Sequence, residues 1–270
     1  MSSPSSTDGG SRIRVQGGVI TTITLDRQER GNALSASMLD ELMDALASIA
    51  GDLQARVIEL RGEGKHFCAG ADVGDVSESA AGGARYGSGF ERLLRAIEEH
   101  PLPVVARVQG AALGAGCQLL AACDLSVAAH TSTIGIPSAK LGLLLDLEKI
   151  QRMVRTIGVA HTRELLLTGR AVGGAEAALW GLVTEAVDEE DLDQATAALT
   201  QAVADGAPLS VRGSKRGMRA ILDNPGLNRL DHEEVFAVHD SAAAEALASE
   251  DIREGILALG QKRPPHFTGH

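Results

Sequence analysis

Lys65-His66-Phe67-Cys68-Ala69-Gly70-Ala71-Asp72-Val73 is the most informative stretch of the chain, read together with Gly110-Ala111-Ala112-Leu113-Gly114-Ala115-Gly116-Cys117-Gln118. Each is a turn of small residues that exposes backbone N–H groups, and each precedes an expected helix start. Two such turns in one fold can aim two N–H donors at a single oxygen, which is the design of an oxyanion hole. They point to binding or chemistry at a carbonyl.

Strands and helices alternate outward from these turns. The β-branched run Val19 to Leu25 reads as a strand, and Arg56 to Leu60 as a second that runs straight into the first turn. Pro103 to Val108 feeds the second turn, and Asp124 to Ala128 makes a fourth strand. Met38, Leu39, Leu42, Leu46 and Ile49 recur at helical spacing behind Ser35, an expected N-cap. Ser77 to Gly89 is rich in Ala, Gly and Ser and reads as the least structured internal stretch, with a helix from about Phe90 to Glu99 ended by Pro101. Beyond Leu143 the strand signals vanish. Residues 147–260 read as helices broken at Gly158, Gly169, Gly173-Gly174, Pro208 and Pro225. The pattern predicts a β/α first half and a helical second half, with no internal repeat.

Composition bounds the function. The 270 residues bury a real core, and 44% hydrophobic with 23% charged residues reads as globular. Aromatics are only 2%, so Leu, Val, Ile and Ala must build that core. A net charge of −11 argues against nucleic acid or an anionic membrane surface as a partner, though not against a small anion held locally. Cys68, Cys117 and Cys123 form neither a metal-ligand spacing nor a disulfide framework and suit a reducing compartment. No apolar run is long enough to span a bilayer, and the Ser-rich start lacks the basic and apolar segments of a secretory signal. A cytoplasmic protein with a disordered tail over 1–11 is expected.

Gly110-x-x-x-Gly114-x-Gly116 after a strand also matches the dinucleotide loop of short-chain dehydrogenases. That chemistry needs a Tyr-x-x-x-Lys pair, and the single tyrosine, Tyr86, is followed by Phe90 instead. A Walker loop fails as well, because Gly62-Glu63-Gly64-Lys65 lacks the spacing and the hydroxyl.

A set of motifs in order carries a family resemblance. Arg30-Gly31-Asn32-Ala33-Leu34, Phe67 to Asp72, Gly110 to Gln118 with Cys123-Asp124, and Ala177-Ala178-Leu179-Trp180-Gly181-Leu182-Val183 resemble the enoyl-CoA hydratase/isomerase (crotonase) superfamily, over about residues 12–267. The resemblance implies an α/β fold, the ClpP/crotonase-like spiral of ββα units over 12–200. It also implies a helical trimerisation region over 201–270, and homotrimers or homohexamers. It places the two oxyanion donors at the backbone N–H of Ala71 and of Ala115, where the second is normally a glycine. Coenzyme A would be part of the ligand, with no other cofactor and no metal.

The proton-transfer residues depart from the family. Hydratases of this family activate water with two glutamates, whose positions hold Gln118 and Ser138 here. Neither side chain titrates near neutrality, so two-glutamate hydration is not expected. Asp146, in Gly142-Leu143-Leu144-Leu145-Asp146, resembles the position from which dienoyl-CoA isomerases and aspartate-nucleophile dehalogenases present a working carboxylate. Flanked by leucines, it could be desolvated and suited to moving a proton. It could equally cap the helix beginning near Leu147.

The resemblance further brings Arg27, Arg30 and Lys65 near the phosphates and adenine of coenzyme A, and the backbone of Ala33 and Ala69 near adenine and pantetheine. Asp72 joins this set, although bonding within its own loop is the simpler role. The tail Lys262-Arg263-Pro264-Pro265-His266-Phe267 corresponds to one that family members dock near a neighbouring ligand. Ser77–Gly89 corresponds to the cover over the acyl chain, and its small residues suggest a mobile lid. His66 reads as loop packing, Glu91 and Glu148 as exposed helix faces, and Asp124 as a strand-end structural residue. Two classes survive. One is an enzyme, an isomerase or lyase moving a proton with Asp146. The other is a non-catalytic fatty acyl-CoA carrier that keeps the carbonyl clamp and has lost the glutamates.

Overall fold

In the computed structural model, which describes residues 11–72, 74 and 80–270, two sheets are wound together by one repeated step. The larger holds β1 (Ile13–Gln16), β2 (Ile20–Leu25), β3 (Val57–Gly62), β4 (Val104–Val108), β6 (Leu125–Ala129) and β9 (Glu185–Val187) in that order. Only the β1–β2 pair is antiparallel, and Ile58 lies opposite Val104 in the central parallel pair. The smaller sheet holds β5 (Ala111–Leu113), β7 (Thr133–Gly135) and β8 (Ala171–Gly173), with β5 and β7 parallel.

Two single-residue parallel bridges, Leu34 to Ala71 and Cys68 to Ala112, extend the small sheet's pattern. Each turn of the chain thus lays one segment in each layer and then a helix. The helices that follow are α1 (Ala36–Ala50), α2 (Ala80–Glu99), α3 (Ala115–Ala122), and α4 (Ser138–Leu141) running on to α5 (Leu147–Thr168). This is the expected spiral of ββα units. Then come α6 (Gly174–Leu179), α7 (Leu192–Ala204), α8 (Pro208–Asp223), α9 (Glu233–Ala248) and α10 (Glu250–Gln261).

The helices form where side-chain spacing gives them a buried face. In α1, Met38, Leu39, Leu42, Ala45, Leu46 and Ile49 are buried, and Ser35 Oγ accepts the Met38 N–H at 3.3 Å. The core is aliphatic, with Phe67, Tyr86 and Phe90 as its aromatic members. In α5, Gly158 (φ +70°, ψ 171°) interrupts the helix as the sequence predicts. The helical second half is pinned to the spiral by Lys215 of α8. Its buried Nζ donates to the carbonyls of Ile97 and Leu102, each at 3.1 Å, and to Asp124 Oδ2 at 2.7 Å. Asp124 also accepts the Val104 N–H at 2.8 Å, so it is the structural residue expected at a strand end.

Three expectations are corrected. Strands do not vanish beyond Leu143: β8 and β9, of three residues each, complete the two sheets, and β1 precedes the first strand expected. Residues 80–89, expected to be the least structured and to serve as a lid, belong to α2. Tyr86 and Phe90 recur four apart and are buried, and the Tyr86 hydroxyl donates to Leu34 O at 3.0 Å. Packing thus overrides the poor helix propensity of Gly83, Gly87 and Gly89. The remainder of that expected lid, 77–79, lies outside the described residues, as does the tail over 1–10.

Candidate functional site

The two glycine-rich turns are joined to one another through the backbone. Cys68 N–H donates to Ala111 O at 2.9 Å and Leu113 N–H to Cys68 O at 3.0 Å, while Gly114 N–H reaches Gly135 O at 2.8 Å. On the other side, Leu34 N–H donates to Gly70 O at 2.9 Å and Asp72 N–H to Leu34 O at 2.8 Å. A parallel bridge uses the groups before and after the bridged residue, so the amide of Ala71 itself turns to the opposite edge. Among the described residues the Ala71 N–H has no acceptor, and the same holds for Ala115, the first residue of α3. The backbone at Ala115 has negative φ, so alanine is accommodated where the resemblance expects glycine. The turn needs glycine at Gly114 (φ +54°) and Gly116 instead, the latter because a Cβ there would lie 2.1 Å from Cys68 O.

Asn32 locks the first turn in place. Sequence reasoning quoted it within a motif but gave it no role. Fully buried at φ +58°, it accepts the Arg27 N–H on Oδ1 at 2.9 Å and donates from Nδ2 to Glu63 O at 3.0 Å and His66 O at 2.6 Å. His66 Nδ1 accepts the Ala111 N–H at 3.1 Å, which bears out its loop-packing role. Burial pushes the thiols of Cys68 and Cys117 up to about 12, so neither is a nucleophile at neutral pH.

Gln118 and Ser138 follow the two parallel strands of the small sheet. Because β5 and β7 run parallel, α3 and α4 start at the same end, and both residues are buried, Gln118 to 2% exposure. Among the described residues neither Oε1 nor Nε2 of Gln118 has a partner. The Glu91 and Glu98 carboxylates are both bound to Arg152, at 3.0 and 2.7 Å, across the α2–α5 contact.

Asp146 departs from the desolvated carboxylate considered above. It is exposed, as are Leu143, Leu144 and Leu147, while Leu145 packs half-buried against the core, so the leucines do not bury the carboxylate in the single chain. It caps α5 by accepting the Lys149 N–H at 3.2 Å, and its other oxygen pairs with Lys149 Nζ. Lys149 is buried, its ammonium 5.6 Å from the Phe90 ring centroid. Glu148 is exposed on the same helix, as expected.

The residues expected around coenzyme A divide. Arg30, Lys65 and Ala69 are exposed beside the first turn, and neither cation is in an ion pair among the described residues. Arg27 is not free for a phosphate: its guanidinium is bound to Ala33 O at 3.1 Å and to Asp72 at 2.6 Å. Burial alone would raise the Asp72 pKa, but the Arg27 hydrogen bond, the Gly74 N–H and the charges of Arg27 and Arg30 hold it below its usual value. The N–H and C=O of Ala33 are likewise committed, to Arg30 O and to Arg27. Phe267 lies at the wrong end of its own chain for the turns. It packs on Gly255 of α10, and its carbonyl accepts from Arg56, the residue before β3, whereas the first turn follows the far end of that strand.

Over residues 15–270 the sequence matches the family model described as Enoyl-CoA hydratase/isomerase. The chain belongs to that family. It is 37% identical over 254 residues to a probable enoyl-CoA hydratase of Rhodobacter capsulatus, covering 93% of this chain and 95% of the relative. It is 35% identical over 276 residues to the human mitochondrial enoyl-CoA hydratase domain-containing protein 2, covering 97% and 91%. The crystal structure of an enoyl-CoA hydratase from Bacillus anthracis superposes with a TM-score of 0.87 at 29% identity, covering 96% of this chain and all of that one. Within this enoyl-CoA hydratase/isomerase family fold, no helix of the described residues is long and apolar enough to cross a membrane.

Proposed function

We propose that the protein binds a fatty acyl-CoA or enoyl-CoA thioester and holds its carbonyl oxygen between the N–H groups of Ala71 and Ala115. The observation that carries this reading is the pair of amides left without acceptors among the described residues, on two turns bonded to each other. A fixed pair of donors at a helix start suits a carbonyl oxygen that gains negative character, and the α3 dipole adds to it. Arg30, Lys65 and the carbonyl of Ala69, whose N–H is bonded to Gly31 O at 2.9 Å, are the groups left to meet the nucleotide and pantetheine. Coenzyme A belongs to the ligand, and no resident cofactor is invoked.

The chemistry available favours a carrier over a hydratase. Gln118 and Ser138 supply no general base, so a bound water gains no proton acceptor there. A second reading keeps Asp146 as an acid/base for double-bond isomerisation, supported by a carboxylate that stands at a helix start with one edge in solvent. Exposed Met218, Ile221, Ile256 and Leu259 on α8 and α10 support self-association through residues 201–270, as a homotrimer or homohexamer. Free, buried Cys68 and Cys117 suit the reducing cytoplasm, which we propose as the location.

Infrared difference spectroscopy with a thioester labelled with carbon-13 at the carbonyl tests the clamp. Binding with a shift of the carbonyl stretch to lower frequency is expected. Binding without a shift, or no binding at any chain length, overturns it.

A further inference from the structure

Helices α8 and α9 meet closely at one level and part at the next. A Cβ added to Gly217 would lie 3.0 Å from the His239 ring, whereas one added to Gly213, a turn earlier, would meet nothing within 4 Å. The gap between the helices, closed on its third side by the end of α2, is a cavity of about 410 Å³. Arg212, Arg216 and Arg219 recur at the spacing of one face of α8 and line it together. Met218 and Ile221, on the face proposed above for self-association, do not. His100 and Pro101, on the α2 side, precede β4, while the second glycine-rich turn follows the far end of that strand. The cavity is therefore a separate place from the carbonyl clamp.

Its charges are unevenly spent. Arg219 is bound to Glu98 and Asp223, each at 2.7 Å, and Lys215 to Asp124 at 2.7 Å. Arg212 and Arg216 are in no ion pair among the described residues, and Arg212 Nε is buried with no acceptor. A buried N–H left so is costly, and an acceptor entering the cavity relieves it. We infer that this cavity binds a small carboxylate with an apolar body, its oxygens held by the Nε edge of Arg212 and by Arg216. One edge of a guanidinium presents two parallel N–H groups, which match the two oxygens of a carboxylate. Glu99 and Glu245 also line the cavity and oppose a second negative charge, so a phosphate dianion fits less well. Leu209, Pro101 and Ala242 give the apolar body its walls.

Calorimetric titration of the full chain with hexanoate, its uncharged analogue hexanamide, and inorganic phosphate tests the site. Hexanoate is expected to bind at least about tenfold tighter than either of the others. Arg212→Gln should weaken hexanoate at least about tenfold. Gly213→Leu fills the cavity from a position with open space and improves helix propensity, so it should stay folded and exclude hexanoate. Thermal unfolding run alongside shows which variants are folded. Hexanoate that fails to bind wild type, that binds no better than hexanamide or phosphate, or that keeps its affinity in either folded variant overturns the inference.

Discussion

The α-carbon of Gly116 is pressed against Cys68 so closely that a methyl group on it would lie 2.1 Å from the Cys68 carbonyl oxygen and 2.9 Å from its Cβ. The second turn is thereby seated on the first, and the neighbour it would strike is backbone that cannot rotate away. Gly116→Ala is expected to destabilise the fold by about 1–3 kcal/mol, the usual range for overpacking. Thioester affinity should weaken with it. Chemical denaturation alongside calorimetry checks both, and an unchanged midpoint would mean that the turns do not bear on each other.

Removing one donor without disturbing its helix isolates the carbonyl clamp. Ala115 is the first residue of α3, where proline is tolerated because that N–H has no partner within the helix. Ala115→Pro should therefore weaken thioester binding about tenfold, the worth of one hydrogen bond of about 1.4 kcal/mol. Thermal unfolding run in parallel must show the variant folded. Unweakened binding by a folded variant removes Ala115 from the clamp.

Absorbance of 2-enoyl-CoA at several chain lengths decides between carrier and enzyme. With Gln118 and Ser138 in the glutamate positions, the wild type should leave the conjugated double bond intact. Asp146→Asn should trace the same flat line. Turnover that disappears in Asp146→Asn would instead establish the isomerase reading and name its acid/base.

The Arg27–Asp72 pair gives a pH-dependent stability of known sign. Asp72 titrates below its ordinary value of 3.8 in the folded state, so the pair's contribution is complete above that pH. It is lost as pH falls through the lower folded value. The wild type should be more stable than Arg27→Met near neutrality, with the gap narrowing only below about pH 4. Denaturation midpoints of the two proteins from pH 7 down to 3 measure it, and a gap that widens on acidification would contradict the assignment.

Lys215 ties the helical half to the spiral. Lys215→Met leaves two carbonyls and the partly exposed Asp124 carboxylate without their cation and should cost about 1–3 kcal/mol. Adding Asp124→Asn to it should restore part of that loss, because the carboxylate is no longer an unpaired charge. Denaturant titration of the single and double variants reads the recovery.

What could be read from the sequence is what is encoded locally. The Ser35 cap, the α1 stripe, the break at Gly158 and both small-residue turns each depend on neighbours within a few positions. Strands β1, β8 and β9 are three or four residues long and exist by pairing with segments distant in sequence, so periodicity carries no mark of them. The early start of α2 has the same origin, since its glycines are held helical by Tyr86 reaching Leu34 O. At the site, the resemblance proposes Ala71, Ala115 and Gln118 by their positions in the motifs, but it could not reveal that Arg27 and Ala33 are spent on each other. The mark of Asn32 was present: an asparagine directly after glycine is suited to a left-handed turn.

Asn32 and Gly116 also tie the two turns to the folding route. Asn32 reaches carbonyls 31 and 34 positions along the chain, and Gly116 meets Cys68 across nearly fifty, loops whose closure costs differ by only about 0.3 kcal/mol. Neither turn is a local structure that can form ahead of the other. Asn32→Ala and Gly116→Ala should therefore divide their effects between refolding and unfolding in the same proportion, which stopped-flow rate measurements on the two variants resolve.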